Sequence, residues 1–307
     1  MPLQVTHFSD PGCPWAWSAS PAIAALKWRY GDQLEWRDVM IGLTENGAVY
    51  EARGYNPTGQ ARGYRNFRWR GMPFATDTRE RIHGTWPMCR VVVATRRLFP
   101  EREYAVFRAL QFAQFTTTAF LEDEQELKRA IAWVPGIDAD AIIEAASDPE
   151  TEALFEQDRN DARTAAGSPT EFQGKSANSD GRVRYTAPSL QFTNDHGQTL
   201  EAGGFQSFEA YDVLVANLDA TVTRRDPASN IAEILAEFPD GLTTAEVAQI
   251  MAQDKFPWDL GAAEDALITA LGDGEARRIQ FGHDALWVPA GAAADHMAAA
   301  AQEAVTA

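Results

Sequence analysis

The chain has two thiols, Cys13 and Cys89, and their settings differ. Cys13 lies in Phe8-Ser9-Asp10-Pro11-Gly12-Cys13-Pro14-Trp15-Ala16-Trp17-Ser18, a Pro- and Gly-rich turn that opens a helix. A thiol at a helix mouth faces unpaired N–H groups and the positive end of the helix dipole. Both lower its pKa, so the position predicts a thiolate nucleophile at neutral pH. Cys89 lies in the apolar run Met88-Cys89-Arg90-Val91-Val92-Val93, where a free cysteine packs as a small hydrophobe. It can resolve a disulfide on Cys13 only within disulfide reach. His7 and His83 are proton-transfer groups by type. The five His and two Cys form no metal-ligand spacing.

A second group is the Arg and aromatic stretch Arg53, Tyr55, Arg62, Tyr64, Arg65, Phe67, Arg68, Trp69 and Arg70. Such residues stack on bases, and Arg forks equally suit carboxylates. For any one of these Arg a solvated loop position is the default. As a group they suggest an electropositive rim, with Arg65 and Arg68 as candidate anion-binding residues.

The elements that must position Cys13 follow from the pattern. Pro2 to Phe8 reads as a strand and Ser20 to Tyr30 as an amphipathic helix. Leu34 to Ile41 alternates polar and apolar residues and reads as a second strand. Strand, helix, strand is a βαβ unit with parallel strands. Gly42 to Gly71 reads as a long functional loop with at most one helical turn. Helical patterns then run over 88–98, 105–115, 124–132, 139–146 and 150–166. After a polar, turn-rich stretch, 183–185, 189–192 and 199–201 read as short strands, with Asn194-Asp195-His196-Gly197 as a hairpin turn. A capped helix runs from Ser207 to about Leu218. Beyond residue 226 come three helices, the strands 277–281 and 285–288, and an Ala-rich helix over 290–307. Three helices and a hairpin is winged-helix order.

Composition bounds the function. With 307 residues, 45% apolar and 23% charged, the chain is a soluble globular type of two or three domains. No apolar run is long enough to cross a bilayer, and the N-terminus carries no signal pattern, so the expected compartment is the cytoplasm. A net charge of −17 argues against nucleic-acid and anionic-membrane partners. The charge is uneven. Residues 51–82 hold seven Arg against three acids, a net of +4, whereas 226–307 hold 14 acids against three cations, a net of −11. Two such segments are expected in different structural units.

The order βαβ, helical block, ββα is that of a thioredoxin fold split by helices. From residue 3 to about 220 the chain resembles the DsbA family of thioredoxin-like proteins, in the branch with a large helical insertion. That branch includes kappa-class glutathione transferases, 2-hydroxychromene-2-carboxylate isomerases and mycothiol-dependent reductases. Three features carry the resemblance: Ser9-Asp10-Pro11-Gly12-Cys13-Pro14-Trp15 as the motif turn, Thr186-Ala187-Pro188-Ser189 as the cis-proline loop, and Gly203-Gly204-Phe205-Gln206 before the capped helix. The resemblance implies an α/β fold divided into a thioredoxin-like domain (1–74 and 180–222) and a helical insertion with linker (75–179); the element order adds a winged-helix-like unit (226–307). It also implies that Cys13 is catalytic, that Pro14, Trp15, Ala187 and Pro188 contact substrate, and that Pro188 is cis. Trp17 is expected in the core.

The family dithiol needs a second cysteine where this chain has Ala16. Cys13 alone can open a disulfide but cannot release the product intramolecularly. The resemblance therefore implies a monothiol oxidoreductase with no bound cofactor and with glutathione or mycothiol as co-substrate. A transferase or isomerase of the kappa type and a non-catalytic adaptor are the alternatives. For the acidic C-terminal unit, the open roles are structural, a homodimer interface or a lid.

Overall fold

The computed structural model describes residues 1–179, 181–253, 258–281 and 284–291. Strand β1 (Leu3–Ser9) leads through the Cys13 turn into helix α1 (Pro14–Tyr30), and strand β2 (Leu34–Met40) follows. Helices α2 (Gly47–Ala52) and α3 (Pro57–Phe67) come next. The helical block is α4 (Trp86–Leu98), α5 (Glu103–Thr116), α6 (Glu124–Ile131), α7 (Ala139–Ala145), α8 (Pro149–Ala162) and α9 (Pro169–Phe172). Strands β3 (Ser176–Ala177), β4 (Arg184–Tyr185), β5 (Ser189–Thr193) and β6 (Thr199–Ala202) precede α10 (Phe208–Leu218). The C-terminal elements are α11 (Ile231–Glu237), α12 (Thr244–Met251), α13 (Leu260–Gly272), β7 (Ala276–Phe281) and β8 (Asp284–Pro289).

The main sheet has the order β2-β1-β5-β6. β1 and β2 are parallel, as the βαβ pattern predicts, and β5 and β6 run antiparallel. The register sets up the site. Phe8 pairs with Ser189, so the exit of β1 toward Cys13 lies beside the entry of β5 after Pro188. The β4 segment differs from expectation: it pairs with β3 in a separate two-stranded sheet.

Helix α1 was expected to be amphipathic, yet it is buried nearly all round, with Lys27 half-buried. A helix apolar on every side is one covered on every side. Leu26, Ala22 and Ala25 pack toward the sheet with Leu3 and Val5. Ala24 and Trp28, on the opposite side, pack with Ile231, Leu235, Val247 and Leu267 of the C-terminal elements.

Those C-terminal elements are joined to the rest through core as well as through chain. Glu246, fully buried, caps α12 with Thr243 in a reciprocal capping box. Its carboxylate also receives both terminal nitrogens of Arg108 and the Ser20 hydroxyl. Leu242 bridges to Trp287, so the hairpin β7–β8 closes on the start of α12. The Ala-rich stretch expected to be helical lies, from residue 292 onward, outside the described residues.

Two helices replace the expected 42–71 loop. Asn46 and Asn56 accept hydrogen bonds from the Val49 and Gly59 N–H groups, capping α2 and α3. Their apolar faces are small, and α3 buries only Ala61 and Tyr64. The apolar content of α3 is low, so the two Asn caps are the plainer signal in the sequence.

Candidate functional site

Cys13 occupies the N-cap position of α1, with Pro14 as the first helical residue. Its neighbour Gly12 sits where a Cβ would approach Thr85 Cγ2 to 2.5 Å, so the turn is packed too closely for a side chain. Asp10 holds the turn from beneath. It is fully buried and accepts from the N–H groups of Gly12 and Leu43, each at 2.8 Å, and from the Thr85 hydroxyl at 2.8 Å. Burial raises the Asp10 pKa, and those same hydrogen bonds oppose the rise.

The Ala187–Pro188 peptide bond is cis. Cys13 Sγ donates a hydrogen bond to the Ala187 carbonyl at 3.1 Å. Four residues named from the sequence, Cys13, Trp15, Ala187 and Pro188, are thus brought to one place, and Pro14 joins them in the cleft wall.

The expected pKa of Cys13 is corrected by its burial. The residue is 5% exposed, its side chain makes no capping bond, and burial pushes the thiol up to about 12. The N–H groups of Ala16 and Trp15 and the charge of Arg184 pull the other way, and the charge of Asp10 adds to the rise. A helix terminus acts over its first turn, whereas full desolvation shifts a group by as much as roughly 3–5 units. The resting residue is a neutral thiol.

Cys89 is fully buried and donates to Asp10 Oδ2 at 3.5 Å. Its pKa lies well above that of an ordinary thiol, first through burial and then through Asp10. Both cysteines are free.

Two clefts flank Trp15, which is 42% exposed. The first, of 420 Å³, exposes Cys13 and Pro14 among Tyr50, Tyr64, Phe67 and His83. Its lining among the described residues has no Asp, Glu, Lys or Arg. His83 Nδ1 meets the Gly84 carbonyl at 3.0 Å. A carbonyl only accepts, so Nδ1 carries the proton. Burial, reinforced by the charge of Arg79, pushes the His83 pKa down to about 3, so the imidazole is neutral. His7 is remote from this cleft: it sits in β1 and bonds Asp38 at 2.7 Å.

The second cleft, of 390 Å³, lies along Thr186 and Ala187 and carries two cations, Arg70 and Lys175. The Arg70 guanidinium lies 4.6 Å from the Trp15 ring centroid and 4.1 Å from that of Phe205. Neither Arg65 nor Arg68 lines either cleft. Both are exposed, and Arg68 is engaged with the Phe74 carbonyl and the Thr76 hydroxyl. The sequence reading passed over Arg70 and Lys175 as site residues. Arg70 stood within the basic stretch, but nothing in the spacing distinguished it from its neighbours. Among the described residues, the C-terminal elements line neither of these clefts, so they form no lid over Cys13.

No family model matches the chain, and no curated protein matches it by sequence. Solved structures do match. A protein from Nitrosomonas europaea assigned as a protein disulfide isomerase superposes with a TM-score of 0.54 at 18% identity, covering 71% of this chain and 97% of that one. A protein from Streptomyces coelicolor assigned as a DsbA oxidoreductase superposes with a TM-score of 0.52 at 16% identity, covering 75% and 94%. With the βαβ unit, the helical block and the ββα unit in this order, the chain has the DsbA-like thioredoxin fold with a helical insertion.

Proposed function

We propose that the protein is a thiol-disulfide oxidoreductase that uses Cys13 as its single nucleophile and a low-molecular-weight thiol to complete the cycle. The observation that carries this reading is the Cys13 thiol on the Ala187 carbonyl, at the junction of two open clefts. The Cys13 sulfur attacks a substrate disulfide, one new S–S bond forms, and the Cys13 proton leaves with the departing thiol. A second thiol then attacks the substrate sulfur of the mixed disulfide: a new S–S bond forms to it as the Cys13–S bond breaks, and the proton of the second thiol passes to Cys13. Of the two expected co-substrates, glutathione and mycothiol, the Thr186–Ala187 cleft suits the carboxylate-bearing glutathione, since Arg70 and Lys175 offer positive charge there. An incoming N–H donor at the Ala187 carbonyl would release Cys13 from its present acceptor. Among the described residues no helix is long and apolar enough to cross a membrane, and the reaction needs none.

A second reading draws on the buried, high-pKa thiol. In a transferase or isomerase, the external thiol is itself the nucleophile and Cys13 only shapes the site. The two are separated by Cys13→Ser. The first reading expects a glutathione adduct on Cys13 after treatment with glutathione disulfide, its release by reduced thiol, and loss of disulfide turnover in the variant. Full disulfide turnover by Cys13→Ser would sink it. Thiol addition to an electrophile retained by that variant would favour the second.

A further inference from the structure

The arginines of α3 have no use inside the site. Gly59, Gln60, Gly63, Tyr64 and Phe67 line the Cys13 cleft, while Arg62 and Arg65 lie on the exposed side of the same helix. Arg53, at the end of α2, is exposed as well. Many cations elsewhere are matched: Arg96 with Asp158, Arg97 with Asp148, Arg102 with Asp240, Arg159 with Glu156. Among the described residues, Arg53, Arg62 and Arg65 have no carboxylate within 4.0 Å. The helix dipole favours cations near the end of α3, which accounts for Arg65 but not for Arg62 in mid-helix. In a chain of net charge −17, these three arginines stand without carboxylate partners on the outer side of the helices whose inner residues line the Cys13 cleft.

A small molecule held in either cleft does not touch these residues. Only a ligand that continues out of the cleft and over α3 can pair with them, and a polypeptide disulfide does so. We propose that the outer face of α3 is a docking surface for an acidic segment of a polypeptide, flanking a cysteine whose disulfide enters the Cys13 cleft. The docking half stands on the charge pattern alone; the exchange half rests on the proposed role of Cys13. Tyr55 and Trp69, 57% and 61% exposed, add the aromatic contact area common at the centre of protein interfaces. A polypeptide is favoured over nucleic acid because the basic patch is short. A phosphate chain would have to extend past three arginines over a chain of net charge −17, whereas a few Glu or Asp side chains match them locally, within the Debye length of about 8–10 Å. In the exchange, the Cys13–S bond to the peptide sulfur forms as the original S–S bond breaks. The Cys13 proton passes to the leaving thiol, and no outside oxidant is required.

Two measurements test this on the intact 307-residue chain. The first is fluorescence anisotropy with a cysteine-free, Glu-rich peptide and its Gln-substituted counterpart. Binding of the Glu peptide is expected at low salt, weakening as salt rises, and falling about tenfold in Arg62→Gln/Arg65→Gln. Arg129→Glu, at an exposed position of α6, changes net charge by the same two units and is expected to bind as the parent does. Equal loss in both variants, or equal binding of Glu and Gln peptides, overturns the docking surface. So does tighter binding of a single-stranded oligonucleotide that the α3 variant abolishes. The second measurement follows release of thionitrobenzoate from cysteine peptides activated with that group. The Glu-flanked peptide is expected to react with Cys13 about tenfold faster than the Gln-flanked one at low salt. Equal rates overturn the coupling of docking to exchange. No reaction with any peptide, with anisotropy intact, leaves docking standing and removes the role of Cys13.

Discussion

The Cys13 thiol and the Ala187 carbonyl share a hydrogen bond of 3.1 Å, across the junction of α1 and the cis-proline loop. The thiol is the donor, so the contact exists only while Cys13 is protonated. Burial, which holds the pKa near 12, and this donor role therefore point the same way. Alkylation of Cys13 by iodoacetamide is expected to be slow at pH 7 and to keep rising through pH 9 without a plateau. Mass spectrometry of the Cys13 peptide, beside Cys13→Ser, reads this. A rate that levels off by pH 7 would show a thiolate in the resting protein and refute the assignment. Cys89 is expected to stay unlabelled until the chain unfolds, since it is fully buried in α4.

His83 gives stability a pH dependence of known sign. Its folded pKa is depressed to about 3 by burial and by Arg79, against roughly 6.5 for an unfolded chain. Below the unfolded value, the unfolded chain binds a proton that the folded one refuses. Stability from this group is therefore complete above pH 6.5 and declines as pH falls toward the folded value. Each unit is worth about 1.4 kcal/mol, so the loss by pH 4 is of the order of 3 kcal/mol. His83→Asn keeps an N–H for the Gly84 carbonyl but cannot titrate. The variant is expected to be less stable at pH 7, through lost packing, and to lose less on acidification. Urea midpoints at pH 7, 5 and 4 measure both; parallel pH profiles would remove His83 as the cause.

The parts legible in the sequence are those that local rules dictate. Alternation over 34–41 and the Pro-Gly turn before Cys13 mark the βαβ unit, and the order of strands after the helices gave the sheet. Pro188 and Cys13 could be associated only through the family resemblance, since the residues alone read Pro188 as an ordinary strand entry. What stayed hidden depends on distant partners. The pKa of Cys13 was read from its helix position, and burial outweighed that effect. The all-round burial of α1 comes from Ile231, Leu235 and Val247, more than 200 residues onward. Arg70 and Arg65 are five residues apart and equivalent in type, yet one reaches Trp15 and the other faces outward. Only the three-dimensional path separates them.

The Arg108–Glu246 pair fastens the C-terminal elements to α5 and, through Ser20, to α1. Glu246 is fully buried, and both partners lose solvation, so the pair itself adds little net stability. Removing one partner leaves an uncompensated buried charge, which costs about 3–5 kcal/mol. Arg108→Met is therefore expected to lower the thermal midpoint sharply. Adding Glu246→Leu should restore much of it. A double variant as unstable as Arg108→Met alone would mean that the lost capping box of α12 and the lost packing outweigh the relief of the orphaned carboxylate. Limited proteolysis is expected to cut first near residue 226 in the single variant, where the C-terminal elements begin.

The absence of a second motif thiol can be tested by putting one in. Ala16 is in the first turn of α1, three residues after Cys13, and is 3% exposed. Residues three apart at a helix start have Cβ atoms about 5–6 Å apart, near enough that a small adjustment of the first turn allows a disulfide. The added sulfur replaces a hydrogen on the Ala16 Cβ, so overpacking is expected to cost about 1–3 kcal/mol in the reduced state. Ala16→Cys is expected to lose two hydrogens in mass on mild oxidation, regained with reductant. The oxidised variant should resist alkylation at Cys13. The reduced variant should reduce a disulfide substrate without added glutathione, which the parent chain needs if Cys13 works alone. A disulfide that forms without conferring this independence would show that the external thiol acts at a step other than release of Cys13. Failure to form one at all would place the Cys13 sulfur too firmly on the Ala187 carbonyl to turn back toward its own helix.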